Sequence, residues 1–278
     1  MTSELSIKFQ SSVDLYDTNL WIGENYLSKK LTVRDYLLSE ILSKRQDKFK
    51  ILGSLVTHFN SYFYYPKTGN DLLSALISKM NNKDLHIDGA IVMEKDYFTD
   101  PASFKNGLIS RHKQGFKCLR LFPKSHKYPF ETIGFRKFYE VLNYYNFPIM
   151  VSLDEIDITG NKNIEWEKVL EIANKYKNIP IIIDGGSSKE LMYNSYLFSL
   201  LQNSSNIYLN IHNMFAMNQI EDLVKIAGSK RLVFDTYYPY YDTELSVGRL
   251  INATIARDDK KRIASLNIEN IFKNISIE

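Results

Sequence analysis

Four side chains in this sequence have the chemistry for acid–base work on a small acidic molecule, and they lie far apart: Arg120, Asp184, His212 and Asp235. An imidazole with an unperturbed pKa of about 6.5 takes a proton from water near neutral pH. A carboxylate against one ring nitrogen orients the ring and leaves the other nitrogen for that task. His212 is therefore the expected base. Asp184 and Asp235 are its expected partners, and either is a base itself if its pKa is raised. A guanidinium binds a carboxylate through two parallel hydrogen bonds, so Arg120 is the expected substrate anchor; an ion pair with Glu94 or Asp154 is the competing role. Ser152 has no G-x-S-x-G context and is not read as a nucleophile.

Whether these groups meet depends on the elements that carry them. Short apolar runs at 13–19, 50–59, 87–93, 116–122, 147–153, 178–184, 206–212 and 231–235 read as strands. Helical periodicity occupies 32–47, 70–81, 101–114, 131–146, 164–176, 188–202, 217–227 and 243–255, with two short pieces at 258–264 and 267–273. Phe135, Phe138, Tyr139 and Leu142 follow the i, i+3, i+4, i+7 spacing of one apolar stripe, as do Ile220, Leu223, Val224 and Ala227. Ser187 with Glu190, and Asn218 with Glu221, have capping-box spacing, and Gly228 is a helix stop. Eight strands alternating with eight helices predict a single (β/α)8 TIM barrel, one domain over 1–278. The alternative, an open doubly wound sheet, would bring a glycine-rich nucleotide loop; the sequence has neither G-x-G-x-x-G nor a Walker A motif.

Barrel active sites lie at the C-terminal strand ends, and one strand parity points inward. The seventh strand sets the parity. Ile207, Leu209 and Ile211 make an apolar outer face, so Tyr208, Asn210 and His212 point inward. The same rule turns inward Asp17, Asn19 and Trp21 on the first strand, His58 on the second and Arg120 on the fourth. It does so too for Ser152 and Asp154, for Asp184, and for Asp235 and Tyr237. Glu94 is open, since Met93 competes for the inward place. Asn19, Trp21, His58, Ser152 and Tyr237, with Arg120, are taken as the substrate-binding lining.

The remaining composition is restrictive. Lys and Arg total 35 against 32 Asp and Glu, a net charge of +3, far from the concentrated charge of a nucleic-acid binder. Cys118 is the one cysteine, so neither an intrachain disulfide nor a multi-cysteine metal site forms. No apolar run approaches the roughly 20 residues of a membrane span, and the first 14 residues do not read as a signal peptide. A cytoplasmic protein is expected, with a small carboxylated molecule as its partner and no nucleic acid or membrane; a homodimer is left open.

Several segments resemble the amidohydrolase superfamily, in its amidohydrolase-related barrel branch. Residues 17–23 (DTNLWIG) resemble its D-x-H-x-H-x-G opening, and Gly69-Asn70 a recurrent G-N. Residues 115–123 (GFKCLRLFP) resemble its fourth-strand G-x-x-x-x-R/K-L-x-P, and 234–239 (FDTYYP) its eighth-strand F-G-S/T-D-Y-P. The resemblance implies a metal-dependent-hydrolase-like TIM barrel with one or two divalent metals, yet the ligand positions hold Asn19, Trp21, Ser152, Asp184 or Gly185, and Tyr237, so Asp184 is the one residue left that could be a carboxylate ligand. His58 and His212, with Asp17 or Asp235, are the residues that would hold a relocated metal. The expectation is thus a hydrolase without metal or other cofactor, acting on a small carboxylated ester, lactone or amide. The alternative is an inactive barrel that binds a small molecule or a protein.

Overall fold

The computed structural model describes residues 13–80, 86–94, 97, 100–128, 132–152, 166–185 and 195–277. They form the expected barrel. The strands are β1 (Leu15–Ile22), β2 (Ile51–His58), β3 (His86–Val92), β4 (Phe116–Leu121), β5 (Ile149–Ser152), β6 (Ile181–Asp184), β7 (Ile207–Asn210) and β8 (Leu232–Val233). All neighbouring pairs are parallel, in the order β1 to β8. Closure comes from two bonds between β1 and the chain after β8: Thr18 N–H to Phe234 O at 3.1 Å and Trp21 N–H to Tyr238 O at 2.8 Å.

The helices are α1 (Leu38–Phe49), α2 (Phe59–Phe63), α3 (Pro66–Met80), α4 (Pro101–Lys113), α5 (Thr132–Tyr144), α6 (Trp166–Lys175), α7 (Ser195–Asn203), α8 (Gln219–Ala227) and α9 (Thr243–Asn252). The closing pieces are α10 (Arg257–Lys261) and α11 (Asn267–Lys273), joined without a break by a π-helical turn, Arg262–Leu266. Helix α2 is not legible from periodicity, being five residues long. It starts because His58 Nδ1 accepts the Asn60 backbone N–H at 3.1 Å. The expected capping box at Asn218 does not form. Asn218 is left-handed with no side-chain cap, and Glu221 Oε1 is used by Thr254 N–H at 2.5 Å. Gly228 does end α8. The Ser187–Glu190 pair lies outside the described residues.

Inside the barrel, Tyr16, Leu55, Ala90, Cys118, Met150, Ile182, Tyr208 and Val233 supply one side chain per strand, closed below by Ile268 and Ile271 of α11. Outward strand residues such as Ile149, Ile181, Leu209 and Ile211 pack under the helices, each buried aliphatic contributing about 1.5–3 kcal/mol. This plug fills the N-terminal half of the barrel, and the polar centre lies toward the C-terminal strand ends.

Strand β1 departs from simple alternation. Asp17 pairs with Ser54 and Leu20 with Val56, so three steps on β1 match two on β2, a bulge. Asn19 and Trp21 therefore point inward, but Asp17 turns out toward α1. There it accepts hydrogen bonds from Arg45, from Thr236 Oγ1 at 2.6 Å and from Thr236 N–H at 2.9 Å. The inward placement expected for Asp17 is corrected: it is a buried tie between β1, α1 and the chain after β8.

Candidate functional site

The polar centre is built around Asn19, which the bulge swings into the barrel. Its Nδ2 donates to Asp184 Oδ1 at 2.6 Å and to Asp235 Oδ2 at 3.3 Å, and its Oδ1 accepts from Arg120 at 2.8 Å. One amide thus joins both carboxylates and the guanidinium. Arg120 also donates to Thr57 Oγ1 at 3.1 Å and forms an ion pair with Asp184 Oδ2, while its guanidinium carbon sits 4.3 Å from the Trp21 ring centre. Ser152 adds a 3.1 Å hydrogen bond to Asp184 Oδ2. Among the described residues the ion-pair partner of Arg120 is Asp184, not Glu94. Glu94 is bonded to Arg111 and Asn70, and Asp154 lies outside the described residues.

His212 and Asp235 form the second half. Asp235 Oδ1 accepts the His212 backbone N–H at 2.7 Å, and Oδ2 meets the ring at Nδ1. Burial raises the Asp235 pKa, opposed by the His212 contact that favours the anion. Asp184 Oδ1 is 4.0 Å from the same Nδ1, so of the two aspartates it is Asp235 that orients the ring. Nε2 is shut off from solvent. Tyr237, held at a positive φ of 54°, stacks on the imidazole with centroids 4.7 Å apart.

Above these groups lies an aromatic layer of Trp21, Phe59, Tyr62, Phe122, Tyr237 and Tyr240. Trp21 stacks on Phe59 at 5.0 Å, and Tyr240 stacks on Tyr237 at 4.7 Å. Tyr237, expected in the substrate-binding lining, is packed between the His212 and Tyr240 rings.

His58 is a correction. It pairs in register with Ile22 and points away from the barrel axis, bonding Asp35 at 3.2 Å and capping α2. The inward position belongs to Thr57, opposite Trp21, which sequence reasoning passed over. Alternation along β2 offers two parities, and Leu55 in the interior layer was the signal that selects Thr57. Gly69-Asn70 also gains a reason. A Cβ at Gly69 would stand 2.1 Å from Ser61 N, and Asn70 pins the end of β3 by bonding Val92 N–H and C=O at 3.1 and 2.9 Å.

No protein-family profile and no curated protein matches the chain. Solved structures do. A 5-carboxyvanillate decarboxylase variant from Novosphingobium aromaticivorans, with bound manganese and 3-methoxy-4-hydroxy-5-nitrobenzoic acid, superposes with a TM-score of 0.72 at 14% identity. The match covers 95% of this chain and 98% of the other. A Staphylococcus aureus protein provisionally assigned as an amidohydrolase gives 0.70 at 12% identity, over 94% and 100%. A dihydroxybenzoic acid decarboxylase from Polaromonas sp. JS666, with manganese and 2-nitroresorcinol, gives 0.69 at 15% identity, over 94% and 97%. The chain has the amidohydrolase-type barrel fold.

Manganese in two of those neighbours poses a direct question to this amidohydrolase-type barrel. One oxygen or nitrogen from each of Asp184, His212 and Asp235 lies within 4.8 Å of the others, a spacing that suits an ion. The surrounding charges do not. Both Asp184 oxygens are engaged, one by Arg120 and Ser152 and the other by Asn19. A dication would sit beside a buried guanidinium, where low dielectric magnifies repulsion. Asn19 and Trp21, in place of two imidazoles, add an amide already in use and an indole that cannot ligate. The residues present do not fit a divalent ion.

Proposed function

We propose that this amidohydrolase-type barrel is a hydrolase that works without a metal on a small carboxylated ester, lactone or amide. The observation that carries the reading is the His212–Asp235 pair set beside the Arg120–Asp184 ion pair at the C-terminal strand ends. Asp235 holds Nδ1, so Nε2 is the nitrogen that accepts a proton from water. The resulting hydroxide adds to the substrate carbonyl, and the imidazolium returns the proton to the leaving group. The Arg120 and Trp21 donors supply the polar recognition. Arg120 Nε and Trp21 Nε1 are buried and have no hydrogen-bond partner among the described residues. Buried unsatisfied donors cost about 1–3 kcal/mol each, and a substrate oxygen relieves that cost. The carboxylated aromatics in the names of neighbouring structures, 2,6-dihydroxybenzoate and 5-carboxyvanillate, make the first members of a test panel.

A second reading is a binding barrel with no turnover. It is favoured by the burial of His212 Nε2 and the aromatic layer over the Arg120 side of the site. One experiment separates the two: chelator-treated protein is assayed against a panel of carboxylated esters, lactones, amides and hydroxybenzoates, with His212→Asn as control. Turnover that persists with chelator and is lost in the variant supports the hydrolase. Saturable binding without turnover supports the second reading, and turnover that appears only on adding manganese overturns the metal-free mechanism.

A further inference from the structure

At the N-terminal end of the barrel, opposite the polar centre, a cleft of about 340 Å³ opens between the start of β7, the turn before β8 and the closing helices. Its charged lining is Lys230, Arg231 and Arg262, with no carboxylate. Among the described residues none of the three forms an ion pair, whereas other surface cations, Lys44, Lys48 and Arg136 for example, do. Three like charges facing one cleft repel unless an anion joins them.

The framework around them is fixed. The π-helical turn begins at Arg262, and its Ile263 carbonyl accepts the Phe234 N–H at 2.9 Å, which seats the turn on the barrel. Turns of this kind carry an extra residue and recur at functional sites. Asn267 Nδ2 bridges Ser229 O at 2.8 Å and Leu232 O at 2.7 Å, so the segment bearing Lys230 and Arg231 is locked to the helix bearing Arg262. Arg231 is braced by the Ser205 carbonyl and lies over the Tyr208 ring, 5.7 Å from its centre. Tyr208 belongs both to the interior layer and to this cleft, so its ring links the two.

We propose that this cleft is an anion site that takes the phosphoryl group of a small molecule. A dianion matches three cations better than a monoanion does, and guanidinium forks suit phosphate oxygens. The exposed Leu266 at the rim offers an apolar surface to an organic remainder. The site lies at the end of the barrel that does not carry the polar centre, and its existence does not depend on the reaction proposed there.

The test is calorimetry in a phosphate-free buffer at constant ionic strength. The probes are inorganic phosphate, glycerol phosphate and a short oligonucleotide, on wild type, Lys230→Gln and Arg262→Gln. Circular dichroism confirms that each variant is folded. The expected result is saturable phosphate or glycerol phosphate binding that weakens about tenfold in each variant. Tighter binding of glycerol phosphate than of inorganic phosphate assigns the group to an organic ester, and the reverse assigns it to the free ion; both support the site. Equal affinity in wild type and both variants overturns it. So does an oligonucleotide that binds more tightly than either small anion and loses affinity in the same variants, because the cleft is then part of a polyanion surface.

Discussion

Arg120 on β4 reaches past β5 to Asp184 on β6, and it does so beneath the indole of Trp21 from β1. Strand curvature in a closed barrel brings alternate strands together across the axis, so the guanidinium is clasped from three sides with almost no exposure. An arginine expected to wait for a substrate carboxylate has one of the protein's own.

Removing that cation leaves Asp184 buried and without its charge partner. Arg120→Met is expected to destabilise the fold by about 3–5 kcal/mol, the usual result of breaking a buried pair from one side. Arg120→Met combined with Asp184→Leu should recover much of that loss. Urea denaturation of Arg120→Met, Asp184→Leu and the double variant measures the coupling; additive losses would mean that the two side chains do not act as a pair.

The charge arrangement also predicts how metal should behave. Protein dialysed against chelator should carry far less than one manganese or zinc per chain, and its melting temperature should not move when either ion is added. Elemental analysis and thermal denaturation check this. A stoichiometric ion surviving dialysis would require Arg120 to leave Asp184.

Trp21 offers a narrow probe of recognition. Trp21→Phe keeps an aromatic face for Arg120 and for Phe59 but deletes the indole N–H, which has no partner among the described residues. Stability should change little, while carboxylate affinity should fall about tenfold, the scale of one hydrogen bond to a charged group. Calorimetry on both proteins decides, and unchanged affinity would leave the indole a packing group alone.

His212→Asn keeps a polar side chain able to face Asp235 but has no basic nitrogen. Any hydrolytic rate should drop about 10²–10⁴-fold, and the rise of rate with pH through the histidine range should vanish. Full rate with an unchanged pH profile in the variant would move the base to the aspartates.

A separate titration sits at the N-terminal end of the barrel. His86 bonds Asp88 at 3.0 Å, and Asp88 also accepts the Tyr16 hydroxyl at 2.8 Å. The bond to Asp88 raises the His86 pKa against the opposing effect of burial. A raised folded-state pKa gives stability that is complete below the unfolded value of about 6.5 and is lost as pH rises through the folded value. His86→Gln should therefore destabilise the protein at about pH 5.5 and be nearly silent at about pH 9. With the imidazole 60% exposed, the effect is small. Equal effects at both pH values would show that His86 acts by packing.

The sequence by itself determined the barrel, because eight apolar runs and the helical stripes between them have one economical closure, and periodicity is local information. It also determined that Asn19, Arg120, Ser152, Asp184, His212 and Asp235 face inward, since alternation on short, regular strands is read from neighbours. It placed His212 between two aspartates without saying which one would hold it. Tertiary structure decided that Asp235 does, and that Asp184 belongs to Arg120 instead. It also decided Asp17 and His58. A one-residue bulge in β1 reverses the parity at Asp17, and the register between β1 and β2 sends Thr57 rather than His58 toward the axis. Bulges and register are set when strands pair across the closing barrel, and a single-residue shift exchanges the faces of every side chain beyond it. Periodicity along one segment carries no record of that pairing.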